Sequence, residues 1–145
     1  MINEKIKVTG NVQLIHYDSA GFIKNQQNIK NLVVTSGKNF IASRLIGASS
    51  AIMSHMAVGT DAAQSSVTHT SLFSEVSRVA LDSSTNLNNV ATYNATFTFT
   101  GVFSLVEAAI FNAPVGGTML CRTVFPVVNI LANDILFIQW DLTIS

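Results

Sequence analysis

Three histidines, one cysteine and eight acidic residues are the side chains of this sequence that could ligate a metal, attack as a thiolate or transfer a proton. His16, His55 and His69 are far apart, and none stands two to four residues from another His or from Cys121 in the spacing that zinc sites use. Each is expected to be an ordinary strand or surface histidine. Cys121 lies in an apolar run after Met119 and Leu120 and reads as a small core residue, not a nucleophile. Gly116-Gly117 follow Pro114 in a turn-rich stretch and do not open a helix that could cradle phosphate. No nucleophile elbow accompanies them. The acids are not set among the aromatics that line sugar clefts, and the basic residues are not interleaved with aromatics as in nucleic-acid binders. No catalytic, metal or cofactor site is expected, and the chain is read as a non-enzyme.

Glu107 and Arg122 are the two charges in a segment that reads as a hairpin from Leu105 to Pro126 around Asn112-Ala-Pro-Val-Gly-Gly117. Centred on that loop, the register sets Phe111 against Thr118, Ala109 against Leu120, and Glu107 against Arg122. The expectation is a structural ion pair across the hairpin.

The elements that must hold these residues alternate with period two. Ala91, Tyr93, Ala95, Phe97 and Phe99 share one side of a strand whose other side is Thr92, Asn94, Thr96, Thr98 and Thr100. Leu136, Ile138, Trp140, Leu142 and Ile144 likewise oppose Phe137, Gln139, Asp141, Thr143 and Ser145. Tyr93 and Trp140 thus face the core. An N-terminal strand over 6–17, a turn at Asp18–Gly21 and a returning strand over 22–27 form a further hairpin. A short helix is expected over 36–45, capped by Thr35 or Ser36 and burying Phe40, Ile41 and Leu45, and a turn or two of helix over 71–78, with Leu72, Phe73 and Val76 on one side. The fold class is therefore all-β: one domain over 1–145, an antiparallel β-sandwich or jelly-roll-like body with one or two short helices. Residues 1–10 could form an extended N-terminal arm.

Composition narrows the partners. The 145 residues are 48% hydrophobic and only 11% charged, so Ser, Thr and Asn must cover much of the surface. A neutral polar cover costs little to bury against other protein. Net charge is zero, which gives no global attraction for nucleic acid or an acidic membrane. The charge is nonetheless uneven: six basic and two acidic residues up to Arg44 give +4, and the remainder carries −4. A single cysteine permits no internal disulfide, and the first ten residues lack a signal peptide's apolar run.

Three stretches then carry a family resemblance. They are His55-Met-Ala-Val-Gly-Thr60 followed by a Ser/Thr-rich loop and Leu72-Phe-Ser-Glu-Val-Ser-Arg78; Tyr93-Asn-Ala-Thr-Phe-Thr-Phe99; and Val106 to Ala113 through Gly116 to Arg122 on to Ile138–Ile144. Together with Asn31-Leu-Val-Val-Thr-Ser-Gly-Lys38, this pattern resembles small structural proteins of tailed-bacteriophage virions, of the decoration and cement type. The resemblance implies a virion component made in the host cytoplasm, with the major capsid protein as partner, self-association as a homotrimer at a local three-fold, and neither nucleic acid nor membrane bound. A compact domain without a repeat or shaft suits a cement on the capsid exterior better than a fibre. The alternative is a tail-fibre, baseplate or receptor- or glycan-binding tail module, and a cryptic hydrolase is a third reading. For the cement, Lys5, Lys7 and Lys24 are the candidate capsid-contact residues.

Overall fold

A computed structural model describes residues 4–48 and 50–145. The fold is all-β, with strands β1 (Val8–Tyr17), β2 (Ile23–Val33), β3 (His55–Gly59), β4 (Glu75–Ala80), β5 (Ser83–Leu87), β6 (Val90–Thr98), β7 (Phe103–Phe111), β8 (Met119–Ile130) and β9 (Ile135–Ile144), and helix α1 (Thr35–Leu45). All pairings are antiparallel, in the order β4-β3-β7-β8-β2-β1-β9-β6-β5. The strands thus form one curled sheet, where the sequence suggested a sandwich or jelly roll of two. The fold line runs between β2 and β8, which pair only at Leu32–Arg122 and Val33–Cys121. Beyond those two pairs, side chains bridge the strands: Gln27 Nε2 donates to Pro126 O and Thr123 Oγ1 to Lys30 O.

Curling brings the inner faces of the two halves together. Val12 and Leu14 of β1, Ala95 and Phe97 of β6, and Leu136, Ile138 and Trp140 of β9 pack in one core with Met56, Val58, Leu105, Ala108 and Ile110 of the other half. Their alternation along β1, β6 and β9 is the pleat itself, whereas along β7 the irregularity between Leu105 and Glu107 breaks it. The two-residue link Leu81–Asp82 joins the outermost strands; the Leu81 N–H bonds Ser54 O, and the Asp82 N–H bonds Asn94 O.

Three expectations are corrected. Residues 71–78 hold no helix: Leu72 and Phe73 lie in a loop, and Glu75–Ala80 is strand β4, because β3 offers it a complete set of backbone partners. Helix α1 has no side-chain cap; Ser36 Oγ bonds Met119 O on β8, and Leu45 is 84% exposed while Phe40 and Ile41 pack on the core. Gly37 lets the helix lie against β8, because a Cβ there would strike the Leu120 carbonyl. Residues 7–10 are not part of an extended arm: Lys7 exchanges backbone bonds with Ser145, and Val8–Gly10 already belong to β1. Residues 1–3 lie outside the described residues.

Candidate functional site

The charged residues of the β3–β4–β7–β8 half lie on its outer face, in two rows set by strand register. One row reads Arg78, Ala57, Ala109, Arg122; the next reads Glu75, Gly59, Glu107, Val124. Ala57, Ala109 and Gly59 make room for the long side chains beside them. Arg122 Nη2 lies 2.7 Å from Glu107 Oε2, with neither side chain exposed. The register differs from that expected, however. Ala109 faces Arg122 and Glu107 faces Val124, so the pair meets on the diagonal; irregularities between Leu105 and Glu107 and between Ile110 and Phe111 shift the ladder. A simple turn-centred count cannot see such bulges.

The pair is also a brace. Arg122 donates to Ala63 O at 2.7 Å and to Asp61 O at 3.4 Å, and Glu107 Oε1 accepts from the Ser74 N–H at 3.1 Å. Both ends of the long 60–74 loop are thus tied to one buried ion pair, and Leu72 of that loop covers Ala57, Ala109, Phe111 and Met119. Gly59 belongs to this arrangement, because a Cβ there would collide with Glu107 Oε1. Arg78 does the same for the neighbouring loop: it pairs with Glu75 at 2.7 Å, donates to Ala113 O and Gly116 O, and lies 3.8 Å over the Phe111 ring. Residues three apart in a strand normally point to opposite faces; the bulge at Val58/Gly59 brings Glu75 and Arg78 to the same one. The charged residues of the passage singled out by resemblance therefore hold loops.

The histidines separate. His16 is a strand histidine of β1 with its ring buried, and its Nε2 lies 2.8 Å from Asp134 Oδ2. Burial pushes the Asp134 carboxyl up, but the Leu131 N–H, His16 and Lys24 together outweigh it and hold the group below its ordinary value. His55 Nδ1 contacts Ser54 Oγ, and His69 packs edge-on against Phe73 beside Arg122. Cys121 is in the core, where burial pushes its thiol well up. Trp140 is fully buried and Tyr93 half-buried, both on the inner side. Among the described residues, no three His, Cys, Asp or Glu side chains come close enough to hold a metal ion.

The lysines do not form the single patch that was expected. Lys7 stands at the start of β1, whereas Lys24 lies beside Tyr17 at its other end, about 30 Å away along a ten-residue strand. The Lys24 ammonium is 3.5 Å from Asp134, so it is committed to a structural contact. Lys38 shares a shallow cleft with Ile6 and Lys7, and Lys30 lies across the next one with Thr9. The basic end of the molecule is thus Lys7, Lys30 and Lys38, with exposed Lys5 leading into it.

Beside that end lies a polar face. On the outer face of β2-β1-β9-β6-β5, a row of Asn28, Gln13, Gln139, Asn94 and Ser83 crosses all five strands, and the next row is Lys30, Asn11, Asp141, Thr92 and Thr85. The face spans about 19 Å across the strands. The one acid in these two rows, Asp141, accepts from Thr92 Oγ1 at 2.7 Å. Further along, Ile15 and Phe137 face each other, as do Tyr17 and Ile135, all half-buried. The polar sides of β6 and β9 were legible from alternation, but the rows required the strand order. Compared with known protein families, curated proteins and solved structures, the chain has no match.

Proposed function

We propose that this chain is a structural protein of a tailed-bacteriophage particle, a capsid cement or decoration protein that packs on the major capsid protein from outside and self-associates as a homotrimer. The observation that carries the reading is the neutral Asn/Gln/Thr face of β2-β1-β9-β6-β5, flanked by Lys7, Lys30 and Lys38. Amides and hydroxyls can be buried against protein at far lower cost than charges, and the lysines at one end supply orientation toward an acidic surface. The resemblance of the Gly59–Arg78 and Val106–Arg122 passages to virion proteins agrees with this, since their charged residues brace a rigid body.

The test counts copies on purified virions of the encoding phage and measures the temperature at which heads rupture with and without the protein. Copies in the hundreds and a raised rupture temperature are expected; a few copies at the tail would sink the reading. Reversing Lys7, Lys30 and Lys38 to Glu should weaken head binding and its salt dependence, whereas Lys24→Glu should act through stability alone. The second reading, a glycan-binding tail module, draws on the amide row beside Phe137 and Tyr17. It calls for retention on host envelopes that free neutral oligosaccharide competes away.

A further inference from the structure

The curled sheet has two terminal strands, and they are finished in opposite ways. Exposed edges invite another strand, and proteins normally protect them with charges, proline, bulges or cover. β4 carries the Glu75–Arg78 pair and a bulge. β5, Ser83-Ser84-Thr85-Asn86-Leu87, has no charge, no proline and an unbroken register with β6, and all five residues are exposed. Its two-residue turn, Asn88–Asn89, makes Leu87 and Val90 a pair that exchanges both backbone bonds. By alternation, Ser84 and Asn86 then aim their N–H and C=O groups away from β6.

We propose that β5 of a second copy of this chain pairs antiparallel with this edge, about a two-fold axis through Thr85. In that register Ser84 of one copy faces Asn86 of the other and exchanges backbone bonds with it, while the two Thr85 side chains meet as a favourable cross-strand pair. A second copy fits because nothing charged meets its like. The nearest ionised group, Asp82, is held by Thr96 Oγ1 at 2.7 Å and falls beyond the other copy's Leu87. Leu87 is 74% exposed, and Ile52, 61% exposed, forms the lip of a groove with Met53 beside Ser84 and Asn86. The added strand covers both. Five residues of edge give less contact than the roughly 1,200–2,000 Å² of a stable interface, so the pairing is weak in dilute solution and gains where copies are concentrated.

The pairing does not depend on the virion reading. Sedimentation of the full chain over a concentration series tests it, using Thr85→Lys, Thr85→Glu, their equimolar mixture, and Thr98→Lys as a control on the same sheet. Wild type and the control should show mass rising with concentration. Each charge at position 85 faces its own copy and should weaken association about tenfold or more. The mixture should restore it at low salt and lose it at high salt. Trp140 emission confirms that each variant is folded. Wild type that stays monomeric to millimolar concentration, variants that associate like wild type, or a mixture that fails to recover would each overturn the proposal.

Discussion

Arg122→Met tests what the buried ion pair contributes. Methionine keeps much of the aliphatic stem but strips Glu107 of its cation, leaving a fully buried carboxylate with the Ser74 N–H as its remaining hydrogen-bond donor. Removing one partner of a buried pair costs about 3–5 kcal/mol, a large share of the roughly 5–15 kcal/mol that holds a domain together. In a domain of this size that should lower Tm by about 6–20 °C. The 60–74 loop also loses the donors to Ala63 O and Asp61 O, so protease should cut there first. Glu75→Gln, on a pair whose acid is a third exposed, should cost no more than about 1 kcal/mol. Combining Glu107→Leu with Arg122→Met should cost clearly less than the two singles summed, because no charge is left orphaned. Urea unfolding followed through Trp140, the single tryptophan and fully buried, measures each cost. An Arg122→Met penalty as small as that of Glu75→Gln, or strict additivity in the double variant, would refute the reasoning.

Other consequences are open to similar measurement. Gly37→Ala should destabilise by about 1–3 kcal/mol despite gaining up to about 1 kcal/mol of helix propensity, since the new methyl meets the Leu120 carbonyl; a more stable variant would show that α1 can move off β8. The lowered Asp134 carboxyl contributes stability that is present above about pH 4 and lost as the pH falls through its folded value. Asp134→Asn should therefore flatten the acid limb of the stability–pH curve while lowering stability at neutral pH, and an unchanged acid limb would count against the His16–Asp134–Lys24 cluster. Cys121 should resist thiol reagents in the native protein and react at the rate of global unfolding, whereas rapid native labelling would contradict its burial.

The sequence by itself marked the long strands near 6–17, 91–100 and 136–144 and the faces of the last two, but not the short strands β3, β4 and β5. Phe97, Ile138 and Trp140 could be assigned inward because a pleat repeats every two residues, a local property that needs no knowledge of neighbours. It also brought Glu107 and Arg122 together, since a hairpin is nearly local. Tertiary structure alone decided the rest. The bulges that move Glu107 opposite Val124 and turn Glu75 toward Arg78 arise from competition among several strands. The His16–Asp134 contact spans 118 residues, so no spacing could suggest it. Lys24 seemed to belong with Lys5 and Lys7 until the antiparallel return of β2 carried it to the far end of β1. The amide row and the bare edge at β5 exist only through the strand order, which is set by long-range packing of the curled sheet and leaves no local signal in the chain.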